Sequence, residues 1–118
     1  MENNIIQNKS HTFALHVITL YQFLMKEKRE YVLSKQFLRS GTSIGANVEE
    51  ALGGQSKRDF IAKLSIAYKE ARETHYWIRL LTDSKIMNQN ESQGMLNECS
   101  ELIKILSKIL LTSKACAL

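Results

Sequence analysis

Five basic residues in the middle of the chain carry the clearest chemical signal. Lys57, Arg58, Lys69, Arg72 and Arg79, set at about 100° per residue on a helical wheel, share a sector of roughly 120°. Tyr76 and His75 lie in or beside that sector, while Glu70 and Glu73 fall on the other flank. Residues 53–85 hold seven basic and four acidic residues, and so carry +3 of the chain's formal charge of +4. A row of cations interleaved with aromatic rings neutralises phosphates and stacks on bases, which makes the five candidate contacts to RNA or DNA. A solvated face satisfied by ion pairs gives the same pattern, and the spacing leaves both open.

A second set is polar and sits beside apolar stripes. Ser43, Asn47 and Glu50 follow at spacings of four and three and line one helical face; Glu70 and Glu73 are three apart. With Arg39 or Lys63 as partners, these residues fit a structural network of caps and interhelical bonds between two antiparallel neighbours, meeting near Gly53 and Gly54. Dinuclear metal chemistry in a helical bundle needs Glu-x-x-His on two helices. No such motif occurs, and His11, His16 and His75 are unpaired, so neither a metal nor a cofactor is expected. Acid–base or nucleophilic catalysis needs a pocket and an activating pair. The chain offers neither, and is read as non-enzymatic.

The elements that position these residues follow from apolar spacing. Ser10 is placed as the cap of a first helix over about residues 10–26, after a loose polar segment 1–9, with Phe13, Val17, Leu20, Tyr21 and Leu24 as its stripe. A second helix over 30–52 buries Leu33, Phe37, Ser40, Ile44, Val48 and Ala51. Gly41 and Gly45 within it mark either a bend or a place where another backbone packs close. Gly53-Gly54 ends it with a left-handed cap. Ser56 caps a third helix over 56–82, with Asp59 three residues on, as in a capping box. Its core stripe is Phe60, Leu64, Ala67, Ala71, Thr74, Ile78 and Leu81. A fourth, over 90–113, turns Leu96, Cys99, Leu102 or Ile103, Leu106, Ile109 and Leu110 inward. Four such helices with short links imply an all-α antiparallel up-down four-helix bundle, with residues 1–118 as one domain.

On the third helix, Ile66, Trp77 and Leu80 fall outside the core stripe, on nearly the opposite side of the wheel. They are either scattered surface hydrophobes or a subunit interface, which points to a homo-oligomer. No prolines and only five glycines leave little material for long loops. Cys99 and Cys116 read as free thiols in a reducing cytoplasm. No signal peptide and no membrane span are expected.

The run Ser43-Ile44-Gly45-Ala46-Asn47-Val48-Glu49-Glu50-Ala51, then Gly53-Gly54, Ser56-Lys57 and Asp59-Phe60, resembles the bacterial four helix bundle protein family, also called the 23S rRNA intervening-sequence protein family. The likeness continues through Ala67, Glu70, Glu73, Trp77 and Leu80-Leu81 and covers roughly residues 12–112. Arg39, Ser43, Asn47, Glu50, Ser56 and Phe60 correspond to its signature positions. The resemblance implies an up-down bundle and a homopentamer. A related group is similar to the accessory variability determinant of diversity-generating retroelements, which binds nucleic acid and a reverse transcriptase through a basic surface. The chain departs from the family where Gly45 replaces a usual proline, and its charge of +4 is modest beside the retroelement proteins. Two functions follow as expectations: an oligomeric accessory protein binding nucleic acid through its third helix, or an oligomeric protein–protein scaffold that binds none.

Overall fold

The computed structural model describes residues 2–117, excepting the side chains of Glu2, Cys116 and Ala117. The Cys116 thiol therefore lies outside the described residues. Four helices follow in order: α1 (Glu2–Lys26), α2 (Leu33–Leu52), α3 (Lys57–Asp83) and α4 (Gln89–Ala117). Each packs on its sequence neighbour, and α1 closes the ring against α4. The result is an all-α up-down bundle with no strand among the described residues, drawn out to 48 × 21 × 20 Å. The expected stripes of α2 and α3 form its core: Phe37, Ile44, Val48 and Ala51 meet Leu64, Ala67, Ala71, Ile78 and Leu81. Leu102 is the buried member of the fourth helix's ambiguous pair, and Ile103 is half-buried.

The first helix starts eight residues earlier than its apolar spacing suggests. Ile6 is buried to 1% exposure and extends the stripe through Ser10, Phe13 and Val17. Ser10 is accordingly no cap: it is buried, and its hydroxyl donates to the Gln7 carbonyl (3.2 Å). Helices in proteins draw most of their stability from tertiary contacts, and here Ile6 is joined by Gln7 on Glu49 (3.1 Å) and Lys9 on Glu101 (3.1 Å).

The links are built without proline or left-handed glycine. Arg29 (φ 53°) and Lys85 (φ 70°) take the left-handed conformation instead. Each turn is then closed from six residues on, by Glu30 N–H to Leu24 O (3.0 Å) and Met87 N–H to Leu81 O (2.9 Å). Glu30 belongs to the first turn rather than to α2, because its carboxylate accepts the Ser34 N–H (2.7 Å) and so caps the helix from outside. At the end of α2 the diglycine is not left-handed: Gly53 has φ −89°. A Cβ on Gly54 would lie 3.1 Å from the Ala51 carbonyl oxygen and would displace the movable tip of the Asp59 side chain, so glycine eases a tight turn there. Ser56 caps α3 by accepting from Asp59 N–H (3.0 Å). The start of α4 is a reciprocal capping box, with Glu91 N–H to Asn88 Oδ1 (2.9 Å) and Asn88 N–H to Glu91 Oε1 (2.8 Å).

Of the two readings of Gly41 and Gly45, close packing holds. The helix is continuous through them. A Cβ on Gly41 would lie 2.8 Å from Val17 Cγ2, and one on Gly45 would lie 3.4 Å from the Ser10 carbonyl oxygen. These two glycines, one turn apart, bring α2 against α1.

Candidate nucleic-acid interface

The two flanks of α3 carry opposite charge, and each faces a different neighbour. Toward α2 lie the acids. Arg39 reaches from α2 to Glu70 (Nη1 to Oε2, 2.9 Å) and to Glu73, whose Oε2 also accepts the Trp77 indole N–H (2.9 Å). The indole N–H, and with it the Arg39 guanidinium, holds the Glu73 carboxyl below the usual glutamate range. The Glu73 carboxylate in turn is the chief cause that raises Arg39 above an ordinary arginine. Beneath this cluster the Thr74 hydroxyl lies 2.8 Å from that of Ser40, both fully buried, and Cys99 Sγ donates to Ala71 O (3.2 Å). Burial pushes the Cys99 thiol up to about 12, so it stays protonated and unreactive.

The rest of the polar row is arranged differently from a single network. Glu50 pairs with Lys63 (3.0 Å) toward the diglycine end, separate from the Arg39 cluster. Ser43 and Asn47 bond to their own helix, at Arg39 O (2.6 Å) and Ser43 O (2.8 Å). Trp77 is not on the far side of α3: it is half-buried and packs on the core. Of the three outer apolar residues, Ile66 is exposed (43%), and Leu80 is half-buried.

Toward α4 lie Arg72 and Arg79, whereas Lys63 of α3 faces α2, where it pairs with Glu50. Lys57, Arg58, Lys69, Arg72 and Arg79 are all exposed. Arg72, His75 and Arg79 line an open groove whose other wall is Ser100, Ile103 and Lys104 of α4. Arg79 Nε donates to His75 Nδ1 (3.1 Å), and its guanidinium sits 5.7 Å from the centre of the Tyr76 ring. Partial burial, then the charges of Arg79 and Arg72, hold His75 below the ordinary histidine value, so it is neutral near pH 7.

Carboxylates stay away from this groove. All three acids of α4 turn toward α1 or the turn after it: Glu98 lies 2.9 Å from His16, Glu101 3.1 Å from Lys9, and Glu91 3.6 Å from Lys28. Glu70 and Glu73 are engaged with Arg39. Asp83 sits apart, in a depression at the α3–α4 turn with Lys85. Among the described residues, no carboxylate lies within ion-pair distance of Lys69, Arg72 or Lys104. Lys104 and Ser100 of α4 belong to this face together with the bases of α3. Their signal was in the sequence: Ser100, Ile103, Lys104, Ser107 and Leu111 recur at spacings of three and four with no acid among them.

Among the described residues no group of three or more His, Cys, Asp or Glu side chains could hold a metal ion, and no helix is long and apolar enough to cross a membrane. The molecule is thus an up-down four-helix bundle with a charge-sorted surface. Residues 2–108 match the family of 23S rRNA-intervening sequence proteins. The chain belongs to that family. It is similar to a protein of unknown function from the S23 ribosomal protein family of Bacteroides thetaiotaomicron VPI-5482, whose crystal structure was determined at 1.70 Å. The two share 46% identity, with 93% of this chain and 98% of that one covered, and superpose with a TM-score of 0.91. No curated protein matches the chain.

Proposed function

We propose that this protein is a non-enzymatic, homo-oligomeric accessory protein of the cytoplasm that binds RNA or DNA through the basic face of α3. The observation that carries it is the sorting of charge: Glu70 and Glu73 of α3 and the three acids of α4 are drawn into pairs with α2, with α1 and with the turn after it, while Lys69, Arg72 and Lys104 have no carboxylate partner among the described residues. Ion pairing is the ordinary reason for a basic helix face, and it does not account for these side chains. Lys57 and Arg58 extend the row toward the start of α3, roughly 33 Å of helix from Arg79 at the usual rise. Exposed apolar groups support self-association: Ile66 of α3, with Leu15 and Ile18 of α1. We take the assembly to be a pentamer on the family resemblance, with Ile66 and the half-buried Leu80 at its interface and Trp77 left to the core.

Affinity for a single-stranded oligonucleotide, measured by fluorescence anisotropy at rising salt, tests the reading. Neutralising about five phosphates per site gives a fall of roughly 100-fold for a fourfold rise in salt. No binding even at low salt defeats it, and leaves the second reading, an oligomeric protein–protein scaffold that uses the exposed apolar residues.

A further inference from the structure

The groove between α3 and α4 has more structure than a basic patch requires. His75, Arg72 and Arg79 line it from α3, and Lys104, Ile103 and the hydroxyl-bearing Ser100 from α4. Arg79 is held twice, by its Nε–H bond to His75 Nδ1 (3.1 Å) and by the Tyr76 ring (5.7 Å). The bond to Nδ1 assigns the unliganded state: His75 must be neutral there, with its proton on Nε2, because a protonated Nδ1 has no lone pair to offer.

We propose, building on the nucleic-acid reading above, that this groove is a phosphate subsite for single-stranded nucleic acid, in which Arg72, Arg79, Lys104 and Ser100 hold a backbone phosphate and His75 takes a proton from solvent as the phosphate enters. An anion among these cations offsets the charges of Arg79 and Arg72, which after partial burial hold the imidazole neutral, and gives its protonated form a counter-charge. The incoming proton goes to Nδ1, the atom that Arg79 occupies. Protonation therefore releases Arg79 Nε–H, and the planar fork becomes available to the phosphate oxygens. The groups facing His75 are Arg72 and Arg79 on its own helix and Lys104 on α4, all permanently cationic near neutral pH, so the titrating partner in the groove is His75 itself. Tyr76, 46% exposed beside Arg79, offers a ring on which an unpaired base stacks, which favours a single strand over a duplex.

Because binding takes up a proton, affinity rises as pH falls through the histidine range. The test is anisotropy with a single-stranded RNA of about a dozen nucleotides lacking terminal phosphates, whose diesters do not titrate, from about pH 7.5 to about pH 5.5. For the unaltered protein we expect affinity to rise roughly 5–10-fold over that range. His75→Gln keeps an acceptor for Arg79 but cannot take up the proton, so it still binds with less than about a twofold change. Arg72→Ala with Lys104→Ala, checked for helix content, loses about tenfold or more at low salt, against a smaller loss for Lys57→Ala with Arg58→Ala at the far end.

Equal loss from the two double variants overturns the groove while leaving nucleic-acid binding in place. An unchanged pH slope in His75→Gln overturns the proton uptake. Competition by inorganic phosphate as strong as by an equal concentration of oligonucleotide phosphates overturns the backbone assignment in favour of a free or terminal phosphate. No binding by the unaltered protein removes this inference together with the function on which it rests.

Discussion

Gly41, Gly45 and Gly94 all lie inside helices, yet their surroundings differ. A methyl group on Gly41 would press on both γ-carbons of Val17 (2.8 and 2.9 Å), whereas one on Gly94 would meet nothing within 4 Å. Gly41→Ala is therefore expected to cost about 1–3 kcal/mol through overpacking. Gly94→Ala should add about 0.5–1 kcal/mol by stiffening the unfolded chain and raising helix propensity. Urea unfolding of the two variants checks both signs. Sequence alone marks each of these glycines as costly to a helix, but the deciding quantity is the distance to a neighbouring helix. The same limit applies to the diglycine: chain order says that a helix stops at Gly53, but only the folded backbone shows that it stops without a left-handed turn, with the Ala51 carbonyl oxygen 3.1 Å from where a Cβ of Gly54 would lie.

Among the elements, α2 and α3 were legible because their apolar residues recur at helical spacing on one side. The start of α1 was not, because polar residues dominate 1–9 and the buried residue that anchors it, Ile6, acquires meaning only from the helices it packs on. Ile6→Ala is expected to cost about 2–4 kcal/mol in thermal or urea unfolding. A loose N-terminal segment would instead show no change.

The α2–α3 seam allows a test through pH. Replacing Arg39 by Ala leaves Glu70 and Glu73 close together without their shared cation. With Arg39 about half exposed, solvent screening limits the loss to about 1 kcal/mol near neutral pH. Glu73 is held below its unfolded value, so its stabilising contribution is complete above the ordinary glutamate range and is lost as pH falls through the lowered folded value. The gap in stability between Arg39→Ala and the unaltered protein should therefore narrow in acid. A gap that stays constant from neutral pH to about pH 3 would remove this pair from the account of the seam.

At the scale of the molecule, the family and the bundle follow from a sequence signature and from helical spacing. The proposed binding face follows from neither by itself. The bases of α3 could be aligned on a wheel, but whether they are paired depends on where the acids of α4 point, and that is fixed by the contact of α4 with α1. Once those acids are committed to His16, Lys9 and Lys28, the α3–α4 face is left cationic. An oligomer multiplies such a face around its axis, so that a long nucleic acid engages several copies at once and gains avidity. In the proposed assembly the exposed apolar residues outside the core, Ile66 foremost, would supply the contact between copies. Absolute mass by light scattering, at low and high salt, with and without a mixed RNA and DNA pool, tests both parts in one measurement. The account predicts a stable mass of about five subunits of 13.5 kDa at either salt, rising with nucleic acid at low salt only. A monomer, or an oligomer whose mass ignores nucleic acid at low salt, would contradict it.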